Sequence, residues 1–200
     1  MEKLKQALGF GNILSLEDID NIIEHFRYCK LKSNEHLFKP YSVSDEVAFV
    51  EKGIVRVYTM DNDGNEITKY FVKENQFGVD LESYYTLKPS TDFFQTVVDS
   101  EIYSIKKSSM EQLSEQISNL YIFLKSITEA QLLNKIKDND FLNFGDSKKK
   151  YLEFIKRYPQ LALQVPQQHI ASYLKITPQS LSRIRRNLAQ KNNTEIKNKK

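Results

Sequence analysis

Between residues 178 and 188 the chain reads Pro178-Gln179-Ser180-Leu181-Ser182-Arg183-Ile184-Arg185-Arg186-Asn187-Leu188. Leu181, Ile184 and Leu188 recur at spacings of three and four, as the buried face of a helix does. That helix then exposes Gln179, Ser180, Ser182, Arg183, Arg185 and Arg186. Gln and Arg carry paired hydrogen-bonding groups that fit the edges of adenine and guanine, and Arg also pairs with phosphate. The chemistry on offer is recognition. No nucleophile–base pair, P-loop or paired-glycine fingerprint occurs, so no enzyme is expected. Cys29 is the one cysteine, which excludes an internal disulfide and a cysteine-held cluster. His25, His36 and His169 lie far apart without metal-ligand spacing, so no metal and no cofactor are expected.

The elements that position these side chains are legible. Pro166 suits the first turn of a helix, and Ile170, Ala171 and Leu174 give that helix one apolar face. Lys175-Ile176 makes a short turn. Thr177 then caps a second helix with Pro178 in its first position. Two short helices, a tight turn and a basic second helix match the helix-turn-helix signature. Upstream, Ser147 is expected to cap a helix over 148–157 that Tyr158-Pro159 ends. Residues 190–200 read as a disordered lysine-rich tail.

Charge supports this division. The net charge of +3 conceals 13 Lys and Arg against 3 Asp and Glu from Asp146 onward, and an acidic excess before it. A basic segment is either a solvated surface or the footprint of a nucleic acid. Combined with the residue pattern, it favours double-stranded DNA.

The front of the chain reads differently. Ser15 can cap a helix over 15–27 carrying Ile19, Ile22, Ile23 and Phe26. Val47–Val50, Ile54–Tyr58, Glu66–Val72, Phe93–Val98 and Ile102–Ile105 then read as short strands. Asp61-Asn62-Asp63-Gly64-Asn65 supplies the turn chemistry of a hairpin. Strands at this spacing suggest a sandwich or barrel. A long helix begins near Ser118, and Leu120, Phe123, Ile127, Ala130 and Asn134 fit a heptad-like stripe. That stripe is either packing against the helix's own β-module or a parallel dimer seam with Asn134 setting register. Asn143-Phe144-Gly145-Asp146 breaks the helix. No apolar run approaches the ~18 residues of a membrane span, and the N-terminus lacks a signal peptide's apolar stretch, so a cytoplasmic protein is expected.

Three features resemble the Crp/Fnr family of bacterial transcription regulators. Val47–Tyr58 with the Asp63-Gly64 hairpin is similar to the opening of a cyclic-nucleotide-binding β-roll. The long helix stands where that family has its dimer helix. Gln179-Ser180-Leu181-Ser182-Arg183 is similar to the family's Glu-x-x-Ser-Arg recognition motif. The resemblance implies an α+β protein in three parts. Residues 1–106 would form a double-stranded β-helix, a jelly-roll-like β-roll serving as sensor. Residues 107–144 would form connecting and dimerisation helices, and 145–200 a winged helix-turn-helix domain. It implies a homodimer on a palindromic operator, with RNA polymerase as a further partner.

In this resemblance Arg183 matches a guanine-reading arginine and Ser182 the motif's serine, while Gln167, Gln168, Thr177 and Arg186 stand where the family holds phosphates or neighbouring bases. Gln179 replaces Glu, and Gln prefers adenine where Glu accepts from cytosine, so an altered half-site is expected. Lys175 stands where the turn usually has glycine. The effector pocket departs further. Family members that bind cyclic AMP use a Gly-Glu-Leu segment and an Arg-Ser pair, where this chain has Val79-Asp80-Leu81 and Ser90-Thr91. No arginine lies between Arg56 and Arg157, and a buried phosphate without a cation is poorly compensated. A small-molecule effector other than cyclic AMP is therefore expected, with Asp80 either binding a ribose-like hydroxyl or facing solvent. Tyr70-Phe71, Tyr84-Tyr85 and Phe93-Phe94 either fill the core or line an apolar effector cavity. A competing function is a ligand-sensing module that acts through protein–protein contacts, with the helix-turn-helix as its contact surface.

Overall fold

The computed structural model describes the backbone of residues 1–197 and the side chains of residues 1–190. The chain divides into two compact units, 1–133 and 134 onward.

In the first unit, α1 (Glu2–Leu8) and α2 (Leu16–Glu24) precede the strands. Ser15 caps α2 through a reciprocal box with Asp18, and Ser15 Oγ accepts from the Asp18 N–H at 3.1 Å. The helix expected over 15–27 stops at Glu24, because Arg27–Leu31 is already strand β1. Strands β2 (Glu46–Lys52), β3 (Ile54–Met60), β4 (Glu66–Lys73), β5 (Gln76–Gly78), β6 (Phe93–Thr96) and β7 (Ser100–Lys106) follow, with helix α3 (Leu81–Thr86) between β5 and β6. They form two antiparallel sheets, ordered β1-β7-β2-β5 and β4-β3-β6. Strand alternation explains the two-layer core. Ala48 and Val50 of β2, Val55 and Val57 of β3, Val72 of β4, Phe94 of β6 and Ile102 of β7 pack together between the sheets.

The opposite face of the four-stranded sheet presents Phe49, Tyr103 and Ile105 to a helical layer. That layer is α1, α2, α4 (Lys107–Gln116) and the start of α5 (Leu120–Asn143). Leu4, Leu8, Ile19, Ile22, Met110 and Leu113 fill the contact, joined by Leu120 and Phe123. Of the two partners open to the heptad stripe, the helix's own unit takes its first half. Leu120 and Phe123 lie in the core of their own unit, and Ile127 packs against it. Ala130 is half-buried and Asn134 exposed. A heptad stripe states that one face of a helix is buried, and does not name its partner.

The second unit comprises the end of α5, α6 (Ser147–Arg157), α7 (Pro159–Gln164), α8 (Gln167–Tyr173) and α9 (Pro178–Lys197). Phe141, Tyr151, Phe154, Leu161, Ile170, Tyr173, Leu174 and Leu181 are buried there. Asp146, rather than Ser147, caps α6: its carboxylate accepts from the Lys149 N–H at 2.8 Å. Gly145 turns the chain before it at φ +98°. Among the described residues this unit holds no strand, so the expected wing is not seen there. Nor is residue 190 the start of a disordered tail. Helix α9 continues to Lys197, and the last three residues of that expected tail lie outside the described ones.

Candidate nucleic-acid interface

The turn between α8 and α9 is a Schellman motif. The Ile176 N–H donates to the Ala171 carbonyl at 3.0 Å and the Lys175 N–H to that of Ser172 at 3.0 Å. Lys175 holds the left-handed position at φ 55°, the conformation glycine adopts without strain. The expected departure at this position is thus absorbed by the lysine backbone itself. The side chain reaches Asn143 at the end of α5, with Nζ 3.2 Å from Oδ1. Thr177 caps α9, its Oγ1 accepting from the Ser180 N–H at 3.1 Å.

These constraints aim α9. Leu181 is fully buried, and Ile184 and Leu188 are partly so. Gln179, Ser182, Arg183 and Arg186 are exposed, and their spacings of three and four place them in one row. Ser180 is half-buried and accepts from the Thr177 hydroxyl at 2.9 Å. Gln167 and Gln168 are exposed at the start of α8, and Thr177 is exposed between the helices. Helix α8 packs on α9, so all eight residues belong to one helix pair. Arg183, Arg185 and Arg186 form no ion pair among the described residues. Three unneutralised guanidinium groups on a helix whose other face is anchored form a surface suited to a polyanion.

The residues expected to form an effector pocket fall out otherwise. Asp80 caps α3, accepting from the Ser83 N–H at 3.1 Å, and its second oxygen accepts from the Ser90 hydroxyl. Ser90 in turn accepts from the Asp92 N–H at 2.9 Å, and its own N–H donates to the Ser42 carbonyl at 3.0 Å. Ser83 accepts from the Ser44 N–H at 2.8 Å and donates to the Lys88 carbonyl at 2.6 Å. Asp80 and Ser90 are therefore brought together, Val79 is half-buried next to Asp80 in the chain, and Leu81 and Thr91 are exposed. The segment closes on its own polar groups.

The buried cation of this unit lies elsewhere. Arg56 is 1% exposed on β3, ion-paired with Glu66, its guanidinium 3.9 Å from the Tyr58 ring centroid. Alternation puts it on the face of β3 away from Val55 and Val57. The paired aromatics are divided too. Phe94 packs between the sheets, whereas Phe93 stacks on Tyr58 at 4.9 Å and Tyr85 is exposed.

One cluster had no counterpart in the sequence reading. Asp138 of α5 receives the hydroxyls of Tyr158 and Tyr173. Its partners stand 20 and 35 positions away, and no local periodicity links them.

Among the described residues no helix is long and apolar enough to cross a membrane, and no group of His, Cys, Asp and Glu is placed to hold a metal. Residues 28–117 match the cyclic nucleotide-binding domain family. No curated protein matches the chain. Three solved structures share the architecture. The c-di-GMP-responsive global regulator CLP of Xanthomonas campestris is 14% identical with a TM-score of 0.71, over 89% of this chain and 93% of its own. A chain from Eubacterium rectale, described as a transcriptional regulator of the Crp/Fnr family, is 13% identical at 0.69, over 93% and 88%. FixK2 of Bradyrhizobium japonicum is 18% identical at 0.68, over 84% and 86%. At such identities the likeness establishes the fold alone: an antiparallel β-roll, a long helix and a C-terminal helical unit.

Proposed function

We propose that this protein is a DNA-binding transcription regulator of the Crp/Fnr type, acting as a homodimer on a palindromic operator. The observation that carries the reading is the exposed row Gln179, Ser182, Arg183 and Arg186 on a capped helix of a helix-turn-helix. Gln167, Gln168, Thr177 and Ser180 would contact phosphates or neighbouring bases, and Arg183 would read guanine. Residues 1–106 serve as sensor, 107–144 as connection and dimer helix, and 145–200 as DNA-binding part.

For the dimer we assign a different face of α5 from the heptad stripe. At about 100° per residue, Ile122, Leu133 and Ile136 fall on the side opposite Leu120, Phe123 and Ile127. All three are at least half exposed, and Leu132 beside them is too. Asn134 lies in line with Leu120, Phe123 and Ile127 but is itself exposed. A second copy covering that apolar row would remove it from water.

The Asp80–Ser90 bond sets a carboxylate where a cyclic phosphate would bring a second anion. The effector, where one acts, is therefore other than cyclic AMP.

The test is selection of sites from randomised duplex DNA by the purified chain without added ligand. Recovery of a palindrome with guanine in each half-site supports the reading. Failure at low salt, repeated with cell extract present, overturns it. The alternative, a ligand sensor acting through protein contacts, predicts that Arg183→Ala changes nothing.

A further inference from the structure

Asp138 collects three donors from two places in the helical unit, the ends of α6 and α8. Both its carboxylate oxygens lie near the Tyr158 hydroxyl, at 2.5 and 2.6 Å. Tyr173 Oη donates at 3.2 Å, and Arg157 Nη1 stands 3.4 Å away. Tyr158 is the C-cap of α6, Arg157 is its last residue and Tyr173 is the last residue of α8. Arg157 also donates to the Lys137 carbonyl at 3.2 Å and sits 5.0 Å from the Phe141 ring centroid. Burial, then the adjacent carboxylate, pushes both phenols above their ordinary range, so both remain protonated donors.

We infer that Asp138 is the positioning residue that sets the orientation of the helix-turn-helix on the end of α5. The inference rests on the DNA-binding homodimer reading. An apolar contact such as Phe141 on Tyr173, 6.3 Å between ring centroids, tolerates sliding. Charge-assisted hydrogen bonds are directional and fix rotation. Tyr173 leads through the Schellman turn into α9, so the angle fixed at Asp138 is passed to Gln179 and Arg183. In a dimer two such helices must meet half-sites about one DNA turn (~34 Å) apart, and a change of angle becomes a change of spacing.

The experiment compares the full-length chain with Asp138→Ala, Asp138→Asn and Tyr173→Phe on three kinds of duplex: the selected palindrome, versions with the spacer changed by a base pair or two, and a single half-site. Asp138→Ala should lose about tenfold on the palindrome while staying within about twofold on the half-site. Its preference for one spacer length should flatten. Asp138→Asn should recover part of the loss, and Tyr173→Phe should share its sign at smaller size. Equal losses on palindrome and half-site, with the spacer preference intact, overturn the proposal. Amide hydrogen exchange without DNA judges the contact independently. Exchange should quicken over 138–143 and 167–175 in Asp138→Asn and stay unchanged over the β-roll; no change over those segments overturns the proposal. A wild-type chain that binds no duplex overturns the DNA reading, and the exchange result still decides the role of Asp138.

Discussion

The β-roll and the helix-turn-helix treat their polar side chains in opposite ways. In the β-roll the functional-looking groups are consumed internally: Arg56 by Glu66 and Tyr58, Asp80 by Ser83 and Ser90, Ser83 by Ser44 and Lys88. In the helical unit internal bonds hold the frame, at Asp138, Asn143 and Thr177, while Arg183 and Arg186 stay exposed. A group already satisfied by its own chain must exchange one partner for another on binding and gains little. An exposed arginine whose backbone is anchored gains a phosphate or base and loses only side-chain freedom. The difference is that the helical unit bonds its frame and leaves its tips free, as the proposed DNA-binding face requires, whereas the β-roll bonds both.

Mutations in the two frames should have the largest effects. Phe154 is fully buried, with Tyr158 and Tyr173 at 5.7 and 5.8 Å between ring centroids. Phe154→Ala should cost about 3–5 kcal/mol and abolish DNA binding, measured by thermal unfolding and gel shift. On the β side, Gly53 sits at φ +107° where an added Cβ would lie 2.2 Å from Ser100 Oγ and 2.9 Å from its Cα. Gly53→Ala should cost about 2 kcal/mol or more by the same thermal measurement. A mild effect at either site would mean that the frame there is softer than its packing indicates.

Next in size is the test of the tips. Arg183→Ala should lose about 1–3 kcal/mol, roughly fivefold to 150-fold, on an operator with guanine at the contacted position. On duplexes lacking that guanine the loss should shrink. Asp80→Ala, made in the self-satisfied unit, should leave ligand-free DNA binding unchanged. If Asp80→Ala weakens DNA binding as much as Arg183→Ala, the contrast between the two units is wrong.

These differences also explain what the sequence could and could not disclose. The hairpin at Asp61–Asn65 was legible because local bonds make it: Asp61 Oδ1 accepts from the N–H groups of Asp63 and Asn65, at 3.0 and 2.8 Å. Thr177 was legible for the same reason. Strand β1, reading Arg-Tyr-Cys-Lys-Leu, is an edge strand with three exposed or charged positions, and its pairing partner β7 lies some 70 residues on. Helix α3 is six residues long, too short for a periodic signal, and is held by its Asp80 cap. The stripe of α5 was visible as apolar, but its partner was settled by α1, α2 and the sheet. Asp138 gave no signal, since its role exists only once α6 and α8 have been folded back onto α5.

The face of α5 left uncovered gives a prediction of intermediate size. Ile136 is 51% exposed and Leu133 58%. Ile136→Lys should weaken self-association by about tenfold in sedimentation, since it places two like charges near the seam and removes two buried side chains. Asn134→Ala, on the opposite row, should leave association unchanged. The reverse pattern would restore the heptad stripe as the seam.

The smallest effect is at Lys175, where one small term opposes two others. Holding a lysine at φ 55° costs about 1 kcal/mol relative to glycine. Glycine at this position would relieve that strain, but it also frees the unfolded chain and deletes the bond from Nζ to Asn143. An exposed hydrogen bond of this kind contributes about 0.5 kcal/mol. Lys175→Gly should therefore change unfolding stability by less than about 1 kcal/mol, towards greater stability, because the turn bonds at Ala171 and Ser172 are backbone bonds that glycine keeps. DNA affinity should move the other way, falling by about twofold to threefold with a shallower salt dependence, if the lysine charge adds a phosphate contact. Thermal unfolding and gel shifts at two salt concentrations separate the terms. A stability loss instead would show that the side chain's hold on α5, rather than the backbone geometry, dominates at this turn.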